Sequence, residues 1–232
     1  MNILAYQLSA SLARGPYADL AAFTKRFAAC PFTGQIERAV WGGFHADRLG
    51  YAFASGYSAA LARLFEHALR VADGTARPLP ARVCLCATEA GGGRPRNIAT
   101  RLAKQGGALV LNGEKTFATL ATAADELLVV ASRGIEADGK NRLRVVRVKP
   151  NASGVEIVPR DPLPFAPEIP HALVRLVDVV VENEDMLPGD GYDHWLKPFR
   201  TIEDTHVLAA TVGYLHGAAR AHGFGQIGRA HV

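Results

Sequence analysis

The apolar positions change period twice along the chain. Up to about residue 72 they recur at three- and four-residue intervals: Leu4, Leu8 and Leu12, then Leu20, Phe23 and Phe27, then Leu49, Phe53, Tyr57 and Leu61, then Leu64, Phe65 and Leu69. That spacing lines one face of a helix, so this part predicts helices, punctuated by Gly15 with Pro16 and by Pro31. The segment ARPLP, Ala76 to Pro80, cannot continue a helix, because proline lacks the backbone donor. Beyond it the pattern alternates, predicting strands at Val83–Ala87, Ile98–Lys104, Ala108–Leu111, Leu127–Ser132, Leu143–Val148, Val155–Val158 and His171–Val181. The last of these, ALVRLVDVVVE, is apolar nearly throughout and is expected to lie deep.

From about Tyr192 the helical period returns. Thr205–Arg220 has the small-residue composition of a helix that packs closely, which compensates the helix propensity lost at Gly213 and Gly217. Short strands parted by Gly, Asn, Asp and Pro, without long helices between them, argue an antiparallel sheet structure. The expected fold is α+β: an N-terminal helical domain (1–80), a middle antiparallel β-barrel or sandwich domain (81–185) and the start of a truncated C-terminal helical domain (186–232). The truncation is expected because Ile227–Val232, back-translated with one choice of codons, matches a common sequencing-adapter tail. The native frame is therefore expected to end near Gly225, with about 226–232 an artefact.

Composition narrows the function classes. With 49% hydrophobic and 21% charged residues the chain reads as an ordinary globular protein, and no apolar run is long enough to span a bilayer. The net charge of +4 is spread among acids rather than gathered into a stripe, so no nucleic-acid partner is expected. Arg142, Arg144, Arg147 and Lys149 alternate with apolar residues and read as the solvated face of a strand. Cys30, Cys84 and Cys86 cannot all pair, which fits a reducing, cytoplasmic setting. No zinc or redox CxxC pattern, GxGxxG or GxxxxGK[ST] occurs, and no metal is expected.

Chemistry concentrates in Val83–Leu120. A strand ends in Thr88 and Glu89 and breaks into Gly91, Gly92 and Gly93, a run that lets backbone N–H groups approach a polar ligand edge. Gly106–Gly107 reads as a flexible turn and Asn112–Gly113 as a second, tighter one. The returning strand carries Phe117 and Thr119 on one face, pairing a flat ring with a hydroxyl. Taken alone, Phe117 also fits an inward-facing core position. Elsewhere GYSAA, Gly56–Ala60, offers Ser58 as a hydrolase nucleophile, a motif that needs a strand running into a sharp turn; the helical pattern around it favours a packed serine.

The order CxTE, glycine-rich turn, hairpin, LNGEKTF and a Thr two residues on resembles the acyl-CoA dehydrogenase flavoproteins, which commonly read TEPGAGSD and LNGEKxWIT there. LVDVVVENEDMLPGDGYDHW, Leu176–Trp195, is similar to that family's passage into its C-terminal helices. The resemblance implies FAD as cofactor and α,β-dehydrogenation of an acyl-CoA thioester in fatty acid metabolism. It implies an electron-transfer flavoprotein or similar acceptor, and a homodimer or homotetramer at full length. It also implies that Ala87 and Thr88 meet the flavin's pyrimidine edge, that Gly91 and Gly93 line the cofactor turn, and that Thr119 reaches the hydride-accepting nitrogen. Phe117 would pack on the ring where the family usually has Trp. Arg94 stands in place of a Ser and is either a phosphate ligand or a solvated arginine. Glu203, ten residues before Gly213, is the implied base, and it also fits a helix N-terminal acid with Thr201 as its cap. Leu120 replaces the family's usual Asn. A flavin-binding relative with monooxygenase-like or no activity is the alternative reading, and a serine hydrolase the remote one.

Overall fold

The helical period of the first seventy residues is met by four helices, α1 (Ile3–Ser9), α2 (Leu20–Ala28), α3 (Gln35–His45) and α4 (Leu49–Val71). The computed structural model describes residues 2–9 and 14–223, so Leu12, Gly225 and the adapter-like tail lie outside the described residues. The described chain divides into two units. The first takes in the residues up to Arg63, Pro164–Ile169 and the chain from Thr201, and the second takes in Leu64–Leu163 and Pro170–Arg200.

In the first unit, α2 starts where the Asp19 carboxylate accepts from Ala22 N–H (2.8 Å), satisfying a donor the helix itself cannot use. Its Phe23 and Phe27 are buried, with Phe23 stacked on Tyr51 of α4 at 5.0 Å. The end of α3 is closed by Arg14, whose guanidinium donates twice to the Ala46 carbonyl (2.7 and 2.9 Å). The stripe expected on α1 faces outward instead: Leu4 and Leu8 are exposed and Gln7 is buried, because Tyr6 turns inward to Phe32 and Phe44 and bonds His45 Nε2 (2.8 Å).

The glycines of the last helix, α5 (Lys197–Ala221), act as expected. A Cβ at Gly213 would lie 2.2 Å from the Val40 carbonyl oxygen and one at Gly217 2.3 Å from that of Phe44. Gly43 of α3 answers them, since its Cβ would fall 1.9 Å from the Ala210 carbonyl. The helix backbones touch, so these positions have no room for a methyl group. Gly213→Ala is therefore expected to lower stability by about 1–2 kcal/mol, because about 2–3 kcal/mol of overpacking outweighs about 1 kcal/mol of propensity gain. A urea denaturation midpoint that rises in this variant would contradict the close contact.

The second unit holds a curled seven-stranded sheet of β1 (Val83–Cys86), β2 (Arg101–Gln105), β3 (Ala108–Thr119), β4 (Glu126–Ile135), β5 (Asn141–Val148), β6 (Val155–Pro159) and β7 (His171–Val181). The order is β1-β4-β2-β3-β7-β6, with β5 also on β4. The long ladders are antiparallel, but β1 runs parallel to β4, with Val83 opposite Glu126 and Cys86 opposite Val129. Cys84, Cys86, Leu111, Ala118, Leu127, Val129, Val146, Val174 and Leu176 form the core. Cys84 and Cys86 point the same way, their Sγ atoms 3.5 Å apart and not joined in a disulfide.

Several local expectations are corrected. Asn112–Gly113 is not a turn: β3 runs unbroken there, opposite a bulge in β7 that sets Val177 and Asp178 against Asn112, held by the Asn112 amide, which donates to Asp178 Oδ1 (2.9 Å) and accepts from Asp178 N–H (2.8 Å). β2 begins at Arg101 rather than Ile98, because the N–H groups of Ala99 and Thr100 are taken by a carboxylate instead of a strand ladder. Arg147 is buried rather than solvated, donating to Glu126 Oε2 (2.9 Å) and to the carbonyls of Arg77 and Pro78, so it ties the proline linker to the sheet. β7 is not deep throughout; Val177 and Val180 are about 60% exposed, and burial alternates as one face meets solvent.

Candidate functional site

The carboxylate that shortens β2 is Glu89, and it organises the whole Val83–Leu120 region. It accepts from Ala99 N–H (2.7 Å), Thr100 N–H (3.0 Å), the Thr100 hydroxyl (2.7 Å) and Lys115 Nζ (2.6 Å). Lys115 has no exposed side-chain surface and gives a second bond to the Val130 carbonyl (2.6 Å). Burial pushes the Glu89 carboxyl up, but the bond and charge of Lys115, with the donors from Ala99 and Thr100, outweigh it and hold the group below the usual carboxylate range. Both charged residues lie inside the quoted motifs, TE and NGEK. The alternating pattern hides them, since a lysine is almost never fully buried unless it is paired.

This clamp brings two chain segments edge to edge. Thr116 N–H donates to the Thr88 carbonyl (2.9 Å), and Thr88 pairs with Phe117 as an isolated antiparallel bridge. The hydroxyl expected on one wall and the ring expected on the other are therefore neighbours. Phe117 is 36% exposed, so it is a surface ring and not a core residue. His171 of β7 lies against it at 4.3 Å between ring centres and pairs across the ladder with Thr119. A bulge between Lys115 and Ala118 adds one residue to β3 here, turning the ring outward while Lys115 and Ala118 stay buried.

Leu120 follows with φ 65°, ψ 12°, a left-handed conformation that costs a leucine about 1–3 kcal/mol and that asparagine adopts more readily. The conformation suits the Asn usual in the resembling family, and the leucine side chain is buried.

The glycine turn is only partly the cradle expected. Of its three glycines, Gly92 alone has a positive φ (88°), and its N–H closes the turn by donating to the Glu89 carbonyl (2.8 Å). Gly91 is fastened by the Asn97 amide, which donates to its carbonyl and fills the space a Cβ would take. Gly93 is exposed, and a Cβ there would meet only the Thr88 hydroxyl oxygen at 3.8 Å, so the surface beside Thr88 stands open. Ala87 is half-buried at the end of β1, and Arg94 is exposed where the chain enters the 3-10 turn Pro95–Asn97.

Glu203 belongs to the first unit, whereas Ala87, Thr88, Gly91, Gly93, Arg94, Phe117 and Thr119 belong to the second. Thr201 does not cap a helix at Glu203. A π-helical turn, Gly191–Leu196, runs straight into α5, so Thr201 is an interior residue whose carbonyl accepts from the Thr205 hydroxyl (2.7 Å). Loss of the N-terminal position removes the dipole explanation for the acid. Burial, helped by the Asp204 charge, raises the Glu203 carboxyl to about 7. Ser58 lies in the middle of α4 with no strand or sharp turn before it, which excludes a nucleophile elbow there. Among the described residues no group of three or more His, Cys, Asp or Glu could hold a metal ion.

Comparison with known proteins agrees on the region. Residues 84–176 match the family model described as acyl-CoA dehydrogenase, middle domain. No curated protein matches the sequence. Among solved structures the chain is similar to the prolyl acyl carrier protein oxidase AnaB, at 18% identity and TM-score 0.69, over 99% of this chain and 68% of that one. It is similar to butyryl-CoA dehydrogenase from Megasphaera elsdenii at 17% identity and TM-score 0.59, over 88% of this chain and 52% of that one. The FAD complex of PigA gives 16% identity and TM-score 0.59, over 95% and 59%. At these identities the likeness is one of fold. This chain spans about half to two thirds of the length of each.

Proposed function

We propose, for a chain whose residues 84–176 are a divergent acyl-CoA dehydrogenase middle domain, that the protein is an FAD-dependent oxidoreductase that desaturates the α,β bond of an acyl-CoA thioester. The observation that carries this reading is the bridge between Thr88 and Phe117, which joins the two segments into one surface with an exposed aromatic ring and an open glycine beside it. A flat heteroaromatic group fits such a surface: the ring offers stacking area, and Gly93 leaves space that a side chain would fill. Bound FAD supplies a hydride acceptor.

The chain's own residues do the rest. Ala87 and Thr88 offer a backbone group and a hydroxyl to a polar edge, Gly93 permits close backbone approach with Gly91 in the same turn, and Phe117 and Thr119 orient the ring. Arg94 meets a phosphate of substrate or cofactor. Glu203 takes the acidic α-proton, a role suited to a carboxyl raised to about 7, because a base titrating near the working pH transfers protons efficiently. An electron-transfer flavoprotein or similar acceptor would reoxidise the enzyme, which we place in the cytoplasm as a homodimer or homotetramer. Among the described residues no helix is long and apolar enough to cross a membrane.

The test is anaerobic mixing of the FAD-loaded, full-length protein with a series of acyl-CoA esters. Bleaching of the flavin absorbance with formation of the 2-enoyl product is expected; protein that binds FAD but is bleached by none of them sinks the substrate assignment. A second reading, favoured by the fold likeness to a prolyl acyl carrier protein oxidase, is oxidation of a carrier-bound thioester with oxygen as acceptor. Peroxide released in air, with the carrier-bound and not the CoA ester as substrate, would select it.

A further inference from the structure

The rim of this surface carries a charge that the reading above leaves without a role. Arg160 follows β6 and is pinned at three points. Its backbone N–H donates to the His171 carbonyl (2.9 Å), its Nη1 donates to the Thr116 carbonyl (2.9 Å), and its Cζ stands 5.8 Å from the centre of the Phe117 ring. The side chain is exposed, yet it lies back along the strand bearing the ring instead of extending into water. Ordering a long exposed side chain costs rotamer entropy that a single neutral acceptor returns only in part. Among the described residues no ion pair holds it, although Asp161 is next in the chain.

Such a group would act on any ligand stacked at Phe117 whose charge changes. Oxidised isoalloxazine is neutral. On taking two electrons and one proton it becomes a monoanion, and a cation fixed at the rim of its site favours that form. Resting on the flavin reading, we propose that Arg160 is a positioning residue which makes the slot prefer reduced over oxidised FAD. The guanidinium holds Phe117 through the ring contact and β3 through the Thr116 carbonyl, so the aromatic wall and the positive charge keep one geometry. A lysine can supply the charge without the planar fork, and a glutamine can supply the donor without the charge.

The experiment compares wild type, Arg160→Gln and Arg160→Lys by calorimetric titration with oxidised FAD and, under anaerobic conditions, with FAD reduced by dithionite, which supplies the two electrons while solvent supplies the proton. Arg160→Gln is expected to weaken binding of reduced FAD about tenfold and of oxidised FAD less than about threefold, while Arg160→Lys retains the preference for the reduced form. Equal weakening of both forms would make Arg160 a purely structural tie and overturn the proposal, as would no change in either. Wild-type protein that binds neither form would instead defeat the flavin reading, and the two failures are told apart by the wild-type titration alone.

Discussion

Replacing Lys115 by Met is expected to destabilise the protein by about 3–5 kcal/mol, since it leaves the buried Glu89 carboxylate without its counter-charge. The effect is large because neither group can reach water. Lys115 has no exposed side-chain surface and Glu89 is 7% exposed, so the variant must bury an unpaired charge or protonate the acid. Urea denaturation at neutral pH measures the loss. FAD binding should disappear with it, because the bridge from Thr88 to Phe117 rests on the same clamp. The double variant Glu89→Gln, Lys115→Met should recover most of the stability, for a neutral pair carries no desolvation debt.

The pH dependence has a definite sign. Glu89 titrates below its ordinary value of 4.5 in the folded chain, so its contribution is present above that value and is lost as pH falls through the lower folded one. Wild type and the Met variant should therefore converge in stability in acid. A Met variant within about 1 kcal/mol of wild type at pH 7 would mean that the pair is not the organising contact.

Glu203→Gln is expected to slow thioester desaturation by about a thousandfold, within the range general bases contribute, with FAD affinity unchanged. In the parent enzyme kcat/KM should rise with pH and level off above about 7, where the carboxylate is ionised, and this limb should vanish in the variant. Stability should move the opposite way. The folded value of about 7 lies above the ordinary 4.5, so the acid form is favoured on folding; stability linked to this group is complete below about 4.5 and lost as pH rises through 7. The Gln variant should thus melt higher than wild type at pH 8 and no differently at pH 4. Full activity in Glu203→Gln would dismiss this residue as the base, and unchanged melting at pH 8 would dismiss its buried setting.

Much of this was legible in order along the chain. The helical period marked α2, α4 and α5, the switch after Pro80 marked the sheet, and the runs around Thr88 and Phe117 identified the family that residues 84–176 match. Those signals are local: they depend on spacing, on glycine and proline, and on short motifs, so the sequence carried them unaided.

What it could not carry were facts about the far side of a residue. Arg147 and Arg142 occupy one strand, yet only the first is buried, because the Arg77–Pro78 backbone crosses over it. Val177 and Val180 lie in an apolar run and face solvent, since nothing in the second unit covers that part of β7. Asn112–Gly113 has the composition of a turn and stays in strand opposite a bulge in β7, because Asp178, sixty-six residues on, engages the Asn112 amide. Glu89 and Lys115 were visible as motif letters, but their pairing, and with it the meeting of Thr88 and Phe117, is a long-range choice. It is settled by where a buried charge can find its partner, and periodicity holds no record of that.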